Sequence, residues 1–168
     1  MSDHPTHVEA GSETWLTPEG YQRMKEELHH LTMVKRPEIA DRIRDSQQHG
    51  EFSEDNSELD EVKFEQAMVE NRIGDLKMLF STARILEPDN IPTDRVGIGS
   101  FVKVRDTQYG EEFEVRIVCS VESDPDRDYI SNESPMGSSL LGSAVGQHVT
   151  VEAPLGRQVY DVLEIRRA

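Results

Sequence analysis

The apolar residues between positions 18 and 83 recur every three or four residues, whereas those beyond position 94 form short alternating runs. Spacings of three and four place side chains on one face of an α-helix, and alternation places them on one face of a β-strand. We therefore predict an α+β chain with two domains. A long antiparallel α-helical coiled-coil hairpin comes first, followed by a small antiparallel β-sheet domain with a short helix.

The first long helix is predicted from Pro18 to about Gln48. Thr17 suits the capping position before it, and Pro18 suits the first helical position. Because Pro37 lacks an N–H group, we expect it to bend this helix. The apolar stripe consists of Tyr21, Met24, Leu28 and Leu31, and it resumes one residue out of register at Ile39 and Ile43.

The second helix carries a more regular repeat. Asp55 and Glu58 have the spacing of a capping box at its start, and Pro88 marks its end. Two helices of about 30 residues, at roughly 1.5 Å per residue, predict a hairpin about 45 Å long. The stripe of this helix is Leu59, Val62, Gln66, Val69, Ile73, Leu76, Phe80 and Ala83.

Composition and periodicity set the predicted domain boundaries. Residues 1–13 are polar and are expected to be a disordered tail, residues 14–86 form the hairpin with an acidic tip at 50–61, and residues 87–93 are a linker. Residues 94–168 form the second domain. Its strands are predicted at Ser100–Arg105, Glu112–Val118, Tyr129–Ser131, His148–Ala153 and Val159–Ile165, and its helix at Ser138–Leu141.

The charge balance excludes some partners. The formal net charge is −15, from 18 Lys and Arg against 33 Asp and Glu, which argues against wrapping duplex nucleic acid and permits a partner with a basic surface. Cys119 is the only cysteine, so no disulfide can form within the chain, and it is expected to be a buried small apolar residue. We find no signal peptide and no membrane-length apolar run, and we expect a cytoplasmic monomer.

The tip is the most acidic stretch of the chain. Residues 50–61 hold six carboxylates and no Lys or Arg. Acidic turns are most often solvated surface. At the end of a hairpin, however, such a turn puts negative charge where a partner can enclose it.

Short motifs along about residues 14–168 resemble the Gre family of bacterial transcript-cleavage factors. The motifs are Arg36-Pro37-Glu38-Ile39, Gly50-Glu51-Phe52-Ser53-Glu54, Asn56-x-Glu58, Lys63-x-x-Gln66, Glu70-x-Arg72-Ile73, Tyr129-Ile130-Ser131, Ser134-Pro135-Met136-Gly137, Leu140-Leu141-Gly142 and Val151-Glu152-Ala153-Pro154-Leu155-Gly156. The resemblance implies an FKBP-like second domain that docks beside the secondary channel of bacterial RNA polymerase. It also implies that the coiled coil enters this channel, where the polymerase hydrolyses the nascent RNA 3′ end of a backtracked complex.

By this resemblance, Glu51 and Glu54 are the catalytic carboxylates, acting in trans inside the polymerase. Hydrolysis at a two-metal site needs a second Mg²⁺ and an oriented water, and Mg²⁺ takes one or two protein carboxylates. The chain would thus have no cofactor of its own and no independent enzyme activity. The family pattern is Gly-Asp-Leu-Ser/Lys-Glu-Asn, so Glu51 is one methylene longer than the family residue. Asp55 is an insertion that either becomes a ligand or spoils the site.

Two other sets of residues are predicted to contact the partner. The loop Ser134-Pro135-Met136-Gly137 is expected to shape the docking surface. Arg36, Arg42, Arg44 and Lys63 are candidates for contact with RNA or the polymerase, although a solvated helix face explains them as well.

Two alternative functions remain open at the level of sequence. The altered tip is compatible with a channel-binding transcription inhibitor of the same fold. An FKBP-like prolyl isomerase or chaperone would need an aromatic-lined pocket. The residues available for one are Phe101, Tyr109, Phe113, Tyr129 and Tyr160, which sheet packing explains equally well.

Overall fold

The computed structural model describes residues 14–49 and 57–167. Tyr21–Thr82 form one compact unit, here the hairpin unit, and the described residues through Gly20 and from Ala83 form the other, the sheet unit. The predicted two-domain α+β fold, a helical hairpin followed by a small sheet domain, is confirmed. Its coiled-coil and FKBP-like descriptions, and the domain boundaries, stay predictions.

The first half of the hairpin is helical from Pro18 to His49, as the sequence predicts to within one residue. It comprises α1 (Pro18–His30), a π-helical segment (Leu31–Lys35) and α2 (Arg36–His49). In the π segment the Arg36 N–H bonds the Leu31 carbonyl, five residues back instead of four. The one-residue shift in the apolar stripe before Ile39 therefore has a structural counterpart. The π turn takes up the one residue that breaks the regular helical spacing.

The second half of the hairpin is a single helix, α3 (Ser57–Thr82). Val62, Ile73 and Leu76 of the predicted stripe are buried, whereas Gln66 is exposed, so its place in the stripe is wrong. Gln66 is the polar member of the repeat, and its amide gains more from water than from an apolar seam. Nearer the other end of the hairpin, the Tyr21 and Phe80 rings pack edge to face at 5.2 Å.

Ion pairs between the two helical halves fix their antiparallel pairing. The Arg72 guanidinium bonds the Glu27 carboxylate at 2.6 and 2.9 Å. Further along, Arg36 bonds Glu70 and Arg42 bonds Glu65. As the residue number rises along α1 and α2, that of the partner on α3 falls, which is the antiparallel order.

The main sheet of the sheet unit has five strands, which are β3 (Phe101–Asp106), β4 (Glu112–Val118), β5 (Tyr129–Ser131), β6 (His148–Ala153) and β7 (Gly156–Arg166). Across the sheet they lie in the order β5-β4-β3-β7-β6. The pairs β3–β4, β3–β7 and β6–β7 are antiparallel, and β4–β5 is parallel. All five predicted strands exist, three of them with the predicted bounds.

One face of this sheet carries the core. Alternation along β3 and β4 turns Val102, Val104, Val115 and Ile117 inward, where they meet Leu140 of α4 (Pro135–Leu140). The short helix predicted at Ser138–Leu141 is this α4, which begins three residues earlier at Pro135. Proline suits the first helical position, so Pro135 marks the start that the prediction placed too late.

Two short strands were not predicted. Thr14–Leu16 (β1) pairs in parallel with Ala83–Ile85 (β2), and Leu16 is fully buried. Ala83 therefore lies in a strand, and its assignment to the helical stripe is wrong. Three-residue strands leave no periodic signal, since their pairing depends on a partner about 70 residues away.

In the described part of the chain, no helix combines the length and the apolar character that a membrane crossing requires. Cys119 is half-buried, and burial raises the pKa of its thiol.

Candidate functional site

The acidic tip connects two helices. α2 ends at His49 and α3 begins at Ser57. Of the tip at 50–61, the structure therefore describes residues 57–61, which are helical. Glu51, Glu54 and Asp55 lie outside the described residues, and their catalytic and magnesium-binding roles stay predictions. The first turn of α3 is acidic, which suits the positive end of the helix dipole.

Arg36 is occupied by a carboxylate across the hairpin. Its Nε donates to Glu70 Oε1 at 2.8 Å and its Nη2 donates to Glu70 Oε2 at 2.9 Å. This bidentate hydrogen bonding holds the pKa of Glu70 below its ordinary value. Contact of Arg36 with RNA or polymerase therefore has to compete with Glu70.

The other two predicted arginines also have acidic partners. Arg42 Nη1 donates to Glu65 Oε2 at 2.7 Å, and Arg44 pairs with Asp41 one turn earlier on the same helix. These exposed pairs neutralise the basic side chains of α2 individually and do not gather them into one positive patch. The assignment of Arg36, Arg42 and Arg44 to RNA or polymerase contact stays a prediction.

The predicted docking loop forms the start of α4. Ser134 caps the helix: its Oγ accepts the Gly137 N–H at 3.0 Å and donates to the Ser131 carbonyl at 2.6 Å. Pro135 occupies the first turn, and Met136 packs against the sheet core. The Ser134 hydroxyl therefore already has a structural role, and its part in docking stays a prediction.

Gly137 is needed where the loop meets β5. A Cβ atom at this position would lie 1.9 Å from the Ser131 carbonyl oxygen, which is part of the backbone. Such a distance is far inside van der Waals contact, so only glycine fits without displacement of the loop. The motif Ser134-Pro135-Met136-Gly137 thus encodes a rigid helix start that presents Glu133 and Pro135 at an open depression beside β6.

The five aromatic residues considered for an isomerase pocket do not converge on one site. Phe101 and Tyr129 line a pocket of about 300 Å³, but the buried Arg116 lies between their rings. Phe113 and Tyr160 instead pack edge to face at 5.8 Å, and Tyr109 is 74% exposed. A pocket that places a guanidinium between its aromatic walls is unlike the apolar pocket that an isomerase needs.

The buried Glu122 is the residue that sequence reasoning missed. Its Oε1 accepts the Thr17 N–H at 2.6 Å and its Oε2 accepts the Thr17 hydroxyl at 2.8 Å. Thr17 in turn caps α1 by accepting the Gly20 N–H at 3.0 Å. The only local signal is Thr-x-x-Gly, where the third residue after the cap, usually Glu or Gln in a capping box, has no side chain.

Comparison with known proteins gives two matches that together span most of the chain. Residues 14–85 match a family described as "Transcription elongation factor, N-terminal". Residues 91–167 match one described as "Transcription elongation factor, GreA/GreB, C-term".

Individual relatives agree with this. The chain is 46% identical over 152 residues to the transcription elongation factor GreA of Caldanaerobacter subterraneus subsp. tengcongensis, covering 90% of this chain and 96% of that protein. It is also 46% identical to GreA of Clostridioides difficile over 160 residues, covering 95% of this chain and 100% of that protein. Among solved structures, GreA factor homolog 1 of Thermus thermophilus is 31% identical with a TM-score of 0.43, covering 92% of this chain and 99% of that one. The resemblance inferred from the motifs is confirmed, and the chain belongs to the GreA/GreB family of transcription elongation factors.

Proposed function

We propose that this protein binds bacterial RNA polymerase through its secondary channel and stimulates the cleavage of backtracked RNA. Family membership makes transcription elongation the process in which it acts. The observation that carries the finer proposal is the hairpin, in which α2 and α3 are paired antiparallel and joined by the acidic segment. A probe of this kind brings carboxylates to a site that the chain itself does not contain.

The chemistry follows from the donor set. Carboxylate oxygens are the protein ligands that Mg²⁺ prefers, so Glu51 and Glu54 suit this ion and not a softer metal. A second Mg²⁺, bound in the polymerase, would polarise the scissile phosphate and activate water. The roles of the chain's own residues are to hold the ion and to orient the attacking water beside the RNA 3′ end. The protein is then an accessory factor in the cytoplasm, where transcription takes place.

The docking surface in this proposal is the start of α4. Ser134, Pro135, Met136 and Gly137 form a rigid turn, held by hydrogen bonds to Ser131 and by the tight fit at Gly137. A preformed turn loses little conformational entropy on binding. Docking through this turn would hold the factor on the polymerase while the tip carboxylates act.

The test is cleavage of RNA in a purified, backtracked elongation complex with Mg²⁺. The wild-type protein should release short 3′ RNA fragments, and Glu51→Gln or Glu54→Gln should reduce the rate by at least about 100-fold. Asp60→Asn is the matched control, because Asp60 is an exposed carboxylate of the same tip that is not among the proposed magnesium ligands. Competition against a labelled wild-type factor should show unchanged polymerase binding for all three variants. Full cleavage by both Glu variants would remove the site assignment.

The same assay addresses the inhibitor alternative, which is favoured by one observation: Asp55 is inserted in the family's tip pattern. An inhibitor would slow nucleotide addition and release no fragments. If Asp55 is the cause, its deletion should restore cleavage, and a deletion without effect would exclude that explanation.

A further inference from the structure

The π segment is the one irregular turn in the first half of the hairpin. The Arg36 N–H bonds the Leu31 carbonyl in the i→i−5 pattern, and no residue of Leu31–Lys35 is buried. Thr32 also bonds the Leu28 carbonyl through its hydroxyl at 2.7 Å. π turns are rare and occur mostly as single insertions in helices, frequently at functional sites.

The segment holds one residue more than the apolar stripe requires. Leu31 and Ile39 are eight residues apart, whereas a continuous heptad pattern needs seven. Met24 before the segment is buried, as are Ile39 and Ser46 after it. Because the seam continues on both sides, the π turn absorbs the extra residue without rotating α2 away from α3.

We infer that the π segment is a positioning element that sets how far α2 extends along α3 and, through this, the place at which the helix before the tip ends. The inference rests on the proposed cleavage function. A sequence without the extra residue would keep Ile39, Ile43 and Ser46 in the seam of a regular helix. The hairpin therefore does not need the π turn in order to pair its apolar residues.

The size of the effect follows from helix geometry. A residue of a regular α-helix contributes about 1.5 Å of rise, and a π turn takes up its extra residue partly by widening, so removal of that residue should draw the end of α2 back along α3 by less than this distance. The cross-helix pairs Arg36–Glu70 and Arg42–Glu65 lie beyond the segment and would be strained by the same shift. A misplacement of about 1 Å at a reacting centre can lower a rate by about 100-fold.

Pro37 gives the competing explanation. A proline ring clashes with the carbonyl four residues earlier, which here is that of Met33 in the π segment. On this reading the π turn only makes room for Pro37. Variants that change Pro37 and the extra residue separately distinguish the two explanations.

The experiment uses the full-length chain and three variants. Pro37→Ala alone keeps the extra residue, whereas Pro37→Ala combined with deletion of the exposed Met33 removes both. A second double variant deletes the exposed Val34 instead. Circular dichroism follows helicity and melting temperature, and competition measures polymerase affinity. Cleavage at saturating factor gives the maximal rate, which a merely structural role would not change in a folded variant.

We expect Pro37→Ala to cleave within about threefold of wild type. Both deletion variants should keep their helicity and polymerase affinity, yet cleave at least about tenfold more slowly at saturation. Wild-type cleavage rates in both deletion variants, or loss of helicity in both, would overturn the inference. Crystal structures of the wild type and of one deletion variant measure the position of α2 along α3, here the stagger, without reference to activity. If the wild-type protein does not cleave, the proposed function fails, while the stagger measured in the crystals is still decisive for the positioning element.

Discussion

Replacing Glu122 with alanine should destabilise the sheet unit by about 3 kcal/mol. The carboxylate accepts the Thr17 N–H at 2.6 Å and the Thr17 hydroxyl at 2.8 Å, and both residues are almost fully buried. Hydrogen bonds to a charged group contribute about 1.5–3 kcal/mol each, and the substitution removes two of them. Release of a buried charge offsets part of this loss.

The measurement is urea unfolding followed by tryptophan fluorescence. Trp15 is the only tryptophan and lies in β1, two residues before Thr17, so it reports on the affected region. Glu122→Gln keeps one acceptor and should lose about half as much as alanine. Glu111→Gln, at an exposed carboxylate, is the control and should change the free energy of unfolding by less than about 0.5 kcal/mol.

Gly20 supplies the sharper test, because its missing side chain makes room for Glu122. A Cβ atom there would lie 2.3 Å from the Glu122 carboxyl carbon. Gly20→Ala should therefore destabilise the wild type, yet stabilise Glu122→Ala by up to about 1 kcal/mol, the usual gain of alanine over glycine in a helix. Gly20→Glu in the Glu122→Ala background should restore stability, since it builds a local capping box with Thr17. Equal effects of Gly20→Ala in both backgrounds would refute the reasoning.

Three further predictions concern other contacts. Glu27→Gln should lower hairpin stability by about 0.5 kcal/mol at neutral pH, since both side chains of the Arg72 pair are more than a third exposed. The hydrogen bond from Arg72 lowers the pKa of Glu27 from 4.5, so the pair stabilises the fold above that pH and loses its effect as the pH falls through the lowered pKa. Melting curves of wild type and Glu27→Gln should thus converge in acid, and a constant difference would argue against the pair. Gly137→Ala should cost about 1–3 kcal/mol in urea unfolding because of its clash with the Ser131 carbonyl, whereas Ser138→Ala on the same helix should be nearly neutral. Ser134→Ala should cost about 1 kcal/mol through loss of the cap, and Ser134→Thr, whose hydroxyl can both accept the Gly137 N–H and donate to the Ser131 carbonyl, should recover most of it; a neutral alanine variant would contradict the capping role.

The sequence predicted those elements whose signal is local. Strands β4, β5 and β6 have the predicted bounds because alternation and turn residues are read within a few positions. The helices of the hairpin follow for the same reason. The slip before Ile39 was also visible in the spacing, but spacing alone does not tell a bend at Pro37 from a π turn.

Contacts between distant segments were beyond the reach of the sequence. Glu122 reaches Thr17 across 105 positions, and nothing near Ser120–Glu122 indicates a buried carboxylate. Strand register likewise places four side chains next to one another in a row on four adjacent strands, in the order Tyr129, Arg116, Phe101 and Arg166. In that row the Arg116 guanidinium lies 4.5 Å from the Phe101 ring centroid, close enough for a cation–π interaction that compensates its burial.

The distribution of charge connects the fold to the proposed function. Arg36, Arg42 and Arg72 are each neutralised by a glutamate of the opposite helix, so these side chains set the pairing of the hairpin. The tip at 50–61, by contrast, has six carboxylates and no Lys or Arg within it. Paired charges cancel at a distance, whereas unbalanced ones sum to a field that extends over about one Debye length, roughly 8 Å at physiological salt. The hairpin sequence thus balances these arginines against glutamates and leaves the charge of residues 50–61 unbalanced, which suits the proposed binding to a partner with a basic surface.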